Sequence, residues 1–166
     1  MTPRTKTGRN AAPRPWPLSE RPGFLIRRIH QIHVALFHEA CGEFDITPVQ
    51  YSLLSALAER GVADQTTLAS DIAFDRTTTT GALKRLAARR LVERAVNSRD
   101  RRARACQLTA EGLNLLAKME SAARSAHRET VGPLGRSERK TFLELMRRIV
   151  DANASRKGDI VETEQM

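Results

Sequence analysis

Cysteines, long hydrophobic runs and a signal sequence are scarce or absent in this chain. Its 166 residues contain two cysteines, Cys41 and Cys106, which are too few and too far apart for a disulfide framework or a four-cysteine zinc site. No run of about 18 apolar residues is present to span a bilayer. The basic N-terminal segment also lacks the apolar stretch that a secretory signal requires. We therefore predict a cytoplasmic protein that is neither exported nor embedded in a membrane.

Aromatic and acidic residues are also few. Five Phe, one Tyr and one Trp make up 4% of the chain, which is little for a protein that binds single strands by stacking bases on aromatic rings. Lys and Arg number 28 against 19 Asp and Glu, so the formal net charge is +9. An excess of this size requires an acidic partner, and the phosphates of duplex DNA suit it best.

Catalytic motifs are missing as well. The sequence contains no G-x-S-x-G, G-x-G-x-x-G or P-loop pattern. Three of the four histidines lie close together, at His30, His33 and His38, and His127 is far from them in sequence. No nucleophile, base and orienting group can be assembled from these residues. We therefore predict that the protein is not an enzyme and has no catalytic residue, cofactor or metal site.

The length fits one domain with an appended arm. Residues 1–17 contain four basic residues and four prolines but no acidic residue, a composition that cannot bury apolar area. We predict that residues 1–20 form a disordered basic arm, which is either a solvated tail or an additional phosphate contact. Residues 156–166 are predicted to form a flexible tail.

Local signals predict helices along most of the chain. Apolar residues recur at helical spacing over residues 22–43. The run Thr47-Pro48-Val49-Gln50 combines a capping hydroxyl, a proline at the first helical position and a glutamine three residues after the cap, so a second helix should begin there. Thr109 can cap a long helix, and Ser137 can start a last one. The last helix carries an apolar stripe formed by Phe142, Leu145, Met146, Ile149 and Val150.

The middle of the chain predicts a winged helix-turn-helix. After a loop over residues 61–65, Thr66 or Thr67 can cap a short helix that runs to Ala73. Phe74-Asp75 then forms a tight break before a helix over residues 76–90. Short strands over residues 91–96 and 104–108 enclose a charged tip. The predicted fold is mainly α, with a small β-hairpin wing and additional helices from both chain ends.

The positive charge is concentrated between Asp75 and Arg104. This segment has ten basic and three acidic residues, so its local charge is +7. A basic helix followed by a basic hairpin tip fits one element in the major groove of DNA and its neighbour in the minor groove or on the backbone. We predict double-stranded DNA as the partner. The alternatives are an architectural protein that ignores DNA sequence, and a protein-interaction adaptor whose charged face is merely solvated.

Four consecutive threonines, Thr77 to Thr80, lie at the start of the predicted recognition helix. Because β-branched residues lose side-chain freedom in a helix, something other than helix stability favours them. Their hydroxyls can donate to phosphates or base edges, and Gly81 would let the backbone approach closely. The alternative is that Thr77 or Thr78 is a local capping residue.

Several short motifs together resemble the MarR family of bacterial transcriptional regulators. They are Asp75-Arg76-Thr77-Thr78-Thr79-Thr80 through Leu86, Leu91-Val92-Glu93-Arg94, Asp100-Arg101-Arg102-Ala103 and Leu108-Thr109-Ala110-Glu111-Gly112. The resemblance spans residues 22–152. It implies an obligate homodimer that binds a palindromic operator, and a nucleoid-associated location. It also implies a repressor that leaves DNA when a small ligand, often a phenolic or aromatic acid, is bound.

The resemblance also implies a division of the chain and a set of DNA contacts. Residues 21–45 and 110–155 would form the dimerisation helices, and residues 46–109 the winged helix-turn-helix domain. In the wing, Asp100 would orient Arg102 for the minor groove. Arg99 and Arg101 would be companions that contact the minor groove or only phosphate. The recognition-helix contacts would be Arg76, Thr77, Thr78, Thr79, Thr80 and Lys84.

The effector site of the family lies between the dimerisation helices and the winged domain. A partly buried guanidinium there requires an anion, so a small aromatic carboxylate or its coenzyme A thioester would suit Arg27 or Arg28. His30 or Tyr51 would then lie near its ring. The alternative is that these arginines bond helix carbonyls or acidic residues across the dimer.

Two further sensing modes occur in the family and stay open as alternatives. His30 and His33 are three residues apart and could begin a metal site, but two ligands do not complete one. Cys41 could serve as an oxidant-sensitive thiol, although a lone cysteine with apolar neighbours usually only packs.

Overall fold

The computed structural model describes residues 15–95 and 105–154, which form six α-helices and a three-stranded sheet within those ranges. The helices are α1 (Pro22–Cys41), α2 (Pro48–Arg60), α3 (Gln65–Asp71), α4 (Arg76–Ala88), α5 (Ala110–Thr130) and α6 (Arg136–Ala152). The strands are β1 (Val62–Asp64), β2 (Val92–Ala95) and β3 (Ala105–Leu108). This confirms the predicted mainly α, winged helix-turn-helix fold. No helix in the described ranges is long and apolar enough to cross a bilayer.

The predicted N-terminal caps of α2 and α5 are confirmed. The Thr47 side chain accepts from the backbone N–H of Gln50 at 3.3 Å, and the Gln50 side chain accepts from the N–H of Thr47 at 2.9 Å. Thr109 caps α5, because its hydroxyl oxygen accepts from the N–H of Gly112 at 3.0 Å. Gly135 occupies the N-cap position of α6 and donates its N–H to the Glu138 carboxylate at 2.6 Å, and the helix begins one residue earlier than predicted.

The predicted cap of α3 is wrong. The Asp64 side chain, and not that of Thr66 or Thr67, caps the helix by accepting from the N–H groups of both threonines, at 2.9 and 3.0 Å. These bonds explain why the pKa of the Asp64 carboxyl is lowered, with the N–H of Thr67 as the largest cause.

A third strand replaces part of the predicted loop over residues 61–65. Strand β1 pairs antiparallel with β3, which pairs antiparallel with β2 on its other edge, so the order is β1-β3-β2. The register places Val62 opposite Gln107, and Val92 opposite Leu108. β1 is three residues long, and its partner is distant in sequence, so no local pattern predicts it.

One core joins α1 and α5 to the winged domain. Phe37 and Cys41 at the end of α1 are buried together with Met119 of α5. Leu53, Leu54 and Leu57 of α2, Leu68 of α3 and Leu86 of α4 complete the centre of this core. Because α1 lies along α5 and α2 contacts both α4 and α5, the winged domain is held against these helices by continuous apolar packing.

Two apolar faces remain exposed. The predicted stripe on α6 contains Leu145, Met146, Ile149 and Val150, and no residue of α6 is buried in the single chain. The first half of α1 likewise exposes Leu25, Ile26, Ile29 and Ile32. Leu113 of α5 is 52% exposed as well.

Several predicted features lie outside the described residues. They are most of the basic arm, the tail after residue 154, and the wing residues Arg99, Asp100, Arg101 and Arg102.

Candidate functional site

The recognition helix α4 begins at a tight turn that two residues define. Ala73 adopts a left-handed conformation with φ 54°, and Asp75 caps α4 by accepting from the N–H of Thr78 at 2.7 Å. Hydrogen bonds from Thr78 lower the pKa of the Asp75 carboxyl. The predicted break at Phe74-Asp75 is therefore confirmed. The capping residue is Asp75, so neither Thr77 nor Thr78 is needed as the cap.

One face of α4 forms an open groove of about 370 Å³. It is lined by Arg76, Thr77, Thr80, Gly81 and Lys84. Four of the six recognition-helix residues predicted from the sequence therefore share one surface, which carries two positive charges and two hydroxyls. The chemistry of this face fits phosphate oxygens and base edges.

Thr79 is a correction to the predicted DNA contacts. Its side chain is fully buried, and its hydroxyl donates to the backbone carbonyl of Asp75 at 2.8 Å. Thr79 faces the core with Ala82, Leu83 and Leu86, so in this structure its hydroxyl is not available to DNA. The spacing of four residues between Thr79 and Leu83 was the signal in the sequence. Thr78 is half-buried and does not line the groove.

Arg89, which the charge count treated as part of the basic segment, is engaged within the chain. Its guanidinium donates to the carbonyl oxygens of Asp45 and Phe44, the latter at 3.1 Å. The bonds tie the end of α4 to the connection between α1 and α2. Sequence reasoning missed this role, because the acceptors are backbone atoms more than 40 residues away.

A second groove of about 680 Å³ lies where α2, the end of α3 and α5 meet. Its lining is polar apart from two residues. The lining residues are Tyr51, Ser52, Ser55, Ala56, Glu59, Arg60, Asp71, Ile72 and His127. Its size is in the range of small-molecule sites.

Tyr51 is the predicted effector residue that lines this groove. Its ring packs against Phe37 with the ring centroids 5.4 Å apart, and its hydroxyl donates to the Glu120 carboxylate at 3.4 Å. Burial, followed by the charge of Glu120, raises the pKa of Tyr51. The phenol therefore stays protonated, with its O–H directed to Glu120 and its oxygen able to accept a hydrogen bond at the edge of the groove.

Arg60 and Asp71 form a bidentate ion pair across the groove. The Arg60 Nη2 donates to the Asp71 Oδ1 at 2.8 Å, and Nε donates to Oδ2. The hydrogen bond to Asp71 is the largest cause of the raised pKa of Arg60. Neither residue was singled out from the sequence, because they belong to different helices and only the fold brings them together.

His33 pairs with His127, the histidine farthest from it in sequence. The two rings stack with centroids 4.6 Å apart, and His33 Nδ1 lies 2.9 Å from the Thr130 hydroxyl oxygen. Burial lowers the pKa of His33, and the nearby His127 and His30 lower it further. A neutral His33 ring can therefore stack on His127 without charge repulsion.

The structure does not bring Arg27, Arg28 and His30 to the groove. All three are exposed on α1, and Arg28 donates to the Gln31 side chain at 3.1 Å. The premise that an arginine here is partly buried is wrong for the single chain, because the first half of α1 is largely uncovered.

The metal and redox alternatives find no support in the described part of the chain. Within residues 15–95 and 105–154, no three His, Cys, Asp or Glu side chains are grouped to hold a metal ion. Cys41 is buried, and this burial raises its thiol pKa, followed by the charge of Glu43. Burial also raises the pKa of Cys106 to about 11. Both thiols are thus held in the less reactive protonated form.

The winged fold, with its basic recognition-helix groove, defines a class of DNA-binding regulators, and comparison with known proteins narrows it. The transcriptional repressor NicR of Pseudomonas putida is 33% identical over 151 residues, which cover 89% of this chain and 96% of NicR. A family model described as MarR family matches residues 44–103. The chain belongs to the MarR family of transcriptional regulators.

Solved structures agree with this assignment. The structure of Bordetella bronchiseptica BpsR, described in terms of regulation of DNA binding by 6-hydroxynicotinic acid, is 32% identical. Its TM-score is 0.75, and the match covers 82% of this chain and 99% of BpsR. PcaV from Streptomyces coelicolor, in complex with its natural ligand, is 28% identical with a TM-score of 0.71, covering 82% of this chain and 96% of PcaV. These relatives are regulators, which agrees with a non-enzymatic role.

Proposed function

We propose that the protein is a homodimeric repressor that binds a palindromic operator and is released by a small anionic aromatic compound. The observation that carries the proposal is the exposed α4 groove, in which Arg76, Thr77, Thr80 and Lys84 surround Gly81. A helix with this face fits the major groove, where hydroxyls and cations contact phosphates and base edges.

The wing would supply a second contact. Strands β2 and β3 lead into residues 96–104, which carry Arg99, Asp100, Arg101 and Arg102. We place Arg102 in the minor groove, oriented by Asp100, with Arg99 and Arg101 near the backbone. The DNA-binding unit would be residues 46–109.

Homodimer formation would use the two exposed apolar faces. Ile149 and Val150 of α6 are 61% and 59% exposed in the single chain, and Ile26 of α1 is 63% exposed. Contiguous apolar surface of this kind marks a protein interface. We assign residues 21–45 and 110–155 to dimerisation, which would set two recognition helices about 10 bp apart on one face of the duplex.

The effector would occupy the groove between α2, α3 and α5. One observation supports this position: Tyr51 and His127 provide aromatic walls. The regulation of BpsR by 6-hydroxynicotinic acid supports the class of effector. The effector class is a hydroxylated aromatic acid or its coenzyme A thioester. Arg27, Arg28 and His30 do not line this groove in the single chain, so we assign them no effector contact in this position.

Competition binding tests the DNA proposal. Duplexes selected from a random pool should be bound with preference over random duplex, and the selected sites should be inverted repeats. Arg102→Ala should weaken binding by about 1–3 kcal/mol and lower the slope of log K against log salt by about one. Lys140→Ala on α6 removes the same charge and is the control, with an unchanged affinity.

Three outcomes separate the alternatives. Equal competition by random duplex would identify an architectural protein. No binding to either duplex would favour an adaptor. Equal losses of operator affinity in Arg102→Ala and Lys140→Ala would contradict the assignment of Arg102 to the minor groove. The rest of the DNA-binding proposal would stand.

A ligand screen tests the effector class. Hydroxylated benzoates, cinnamates, pyridine carboxylates and their thioesters are screened by thermal shift, and each compound that binds is then added to the operator complex. By linkage, a compound that favours release binds the free protein more tightly than the DNA complex, and a coupling of about 1–3 kcal/mol weakens operator binding about 5- to 150-fold. If no compound shifts the melting temperature, the effector class is wrong.

A further inference from the structure

The Arg60–Asp71 ion pair crosses the proposed effector groove and joins α2 to α3. Within residues 15–95 and 105–154, it is the one side-chain ion pair between these two helices. We propose that Arg60 is a shared anchor: Asp71 holds its guanidinium in the free protein, and the effector's carboxylate takes the place of Asp71. This inference rests on the proposed function and adds how the effector acts on the helix-turn-helix.

The geometry makes Arg60 accessible to a ligand. Its side chain is 49% exposed, whereas that of Asp71 is 25% exposed, and both line the groove. The pair is bidentate and only partly buried, so a second carboxylate can replace Asp71 at small cost when its own contact with Arg60 is also bidentate. The planar guanidinium presents the same two N–H groups to either carboxylate.

The charges around the groove make the exchange selective. Glu59 and Asp71 carry two negative charges against the single positive charge of Arg60, and among the described lining residues Arg60 is the one arginine or lysine. An anion that entered without engaging Arg60 would meet net repulsion. A carboxylate therefore has one favourable position in this groove, which is against the Arg60 guanidinium.

Breaking the Arg60–Asp71 ion pair would affect the recognition helix α4 through the short segment that joins α3 to α4. Asp71 is the last residue of α3, and Ile72, Ala73 and Phe74 follow with N–H bonds back to Leu68, Ser70 and Ala69. These bonds make α3 and the turn one unit that leads directly into Asp75, the cap of α4. When Asp71 is released, this unit loses one tie to α2, and the setting of α4 on DNA changes with it.

The test compares two single variants that break the same ion pair. Asp71→Asn frees Arg60, so 6-hydroxynicotinate and 4-hydroxybenzoate should bind about 2- to 5-fold more tightly. Arg60→Gln removes the anchor, so the same acids should bind at least about tenfold more weakly. Glu59→Gln removes one negative charge beside the pair without breaking it, and a smaller gain than that of Asp71→Asn is expected.

Two further readouts separate exchange from a purely structural role. The carboxamide analogue of 6-hydroxynicotinate should not distinguish Arg60→Gln from the parent protein. Asp71→Asn should bind the acid more tightly and yet show a smaller effect of the acid on operator affinity, since the tie to α2 is already broken.

Each outcome decides the proposal. Changes of the same sign in Asp71→Asn and Arg60→Gln, or equal gains in Asp71→Asn and Glu59→Gln, would overturn the exchange and leave the proposed function intact. Failure of both acids to bind the parent protein would overturn the effector class and the exchange together. Opposite signs, with reduced coupling in Asp71→Asn, support the exchange.

Discussion

Threonines two positions apart in α4 have different roles because the helix turns by about 100° per residue. Thr77 lines the exposed groove, whereas Thr79 is buried and bonded to the Asp75 carbonyl. The composition of the run suggested four equivalent contacts. The spacing from Leu83 and Leu86 shows which of the four turns inward, so the missing information was the helix phase and not the helix itself.

Replacing each of these two hydroxyls tests whether Thr77 contacts DNA and Thr79 stabilises the fold. Thr79→Val removes a buried hydrogen bond and should lower the free energy of unfolding by about 1 kcal/mol, with operator affinity unchanged. Thr77→Val removes an exposed hydroxyl and should leave stability nearly unchanged while operator binding weakens. Urea unfolding and DNA titration on both variants measure the two effects. A loss of DNA affinity in Thr79→Val at full stability would contradict the burial argument.

Two glycines provide a second matched pair. A Cβ on Gly112 would overlap the backbone carbonyl of Leu91, whereas one on Gly81 would meet only Arg85 Nη1 at 3.7 Å. Gly112→Ala should therefore destabilise the fold by about 1–3 kcal/mol or more. Gly81→Ala should stabilise α4 by up to about 1 kcal/mol.

The DNA affinity of the Gly81→Ala variant tests how closely the α4 backbone approaches DNA. If the α4 backbone approaches DNA at Gly81, the more stable variant should bind operator more weakly. Equal affinity in Gly81→Ala and the parent would place the helix farther from the bases.

At the scale of elements, local signals predicted most helix starts and missed most tertiary pairs. The Thr47 and Thr109 caps lie within three residues of their partners, so the sequence contains the whole interaction. β1 pairs with β3 more than 40 residues later, and Arg60, His33 and Arg89 meet partners on other elements. For such pairs, the sequence lists the groups but not the distances between them.

The α1–α5 contact predicts a pH dependence of stability. The pKa of His33 is lowered from 6.5 in the folded chain, so the unfolded chain takes up this proton first as the pH falls through about 6.5. The contribution of His33 to the free energy of unfolding should therefore decrease below that pH and be constant above it. Urea unfolding between pH 7.5 and 5.5 measures the change.

Two histidine variants identify the group responsible. His33→Gln keeps a hydrogen-bonding side chain beside Thr130 but cannot titrate, so the decrease in stability should shrink. His38→Gln on the same helix is the control and should retain it. An unchanged decrease in His33→Gln would assign the effect to other groups.

At the scale of the whole molecule, the exposed stripe on α6 predicts how the chain associates. Ile149→Lys places a charge within that stripe and should shift the proposed homodimer toward monomer. Operator affinity should fall with it, because the two half-sites of the proposed inverted repeat are then bound independently. Sedimentation velocity at micromolar concentration, together with DNA titration, measures both.

The control for this variant lies on the same helix. Arg147→Ala changes an exposed charged residue of α6 and should leave the dimer intact. A parent protein that sediments as a monomer would remove the basis for the dimer proposal.

The central position of β3 has a consequence for how such a protein can diversify. β3 is bonded to β1 on one edge and to β2 on the other, so its place is set by the rest of the fold even when the connection after β2 changes. Doubling the length of a connecting loop costs only about 0.6 kcal/mol in closure entropy. Substitutions and insertions between Ala95 and Ala105 can therefore accumulate at little cost to folding. If residues 99–102 contact DNA as proposed, the operator preference can then change while the scaffold that presents them stays the same.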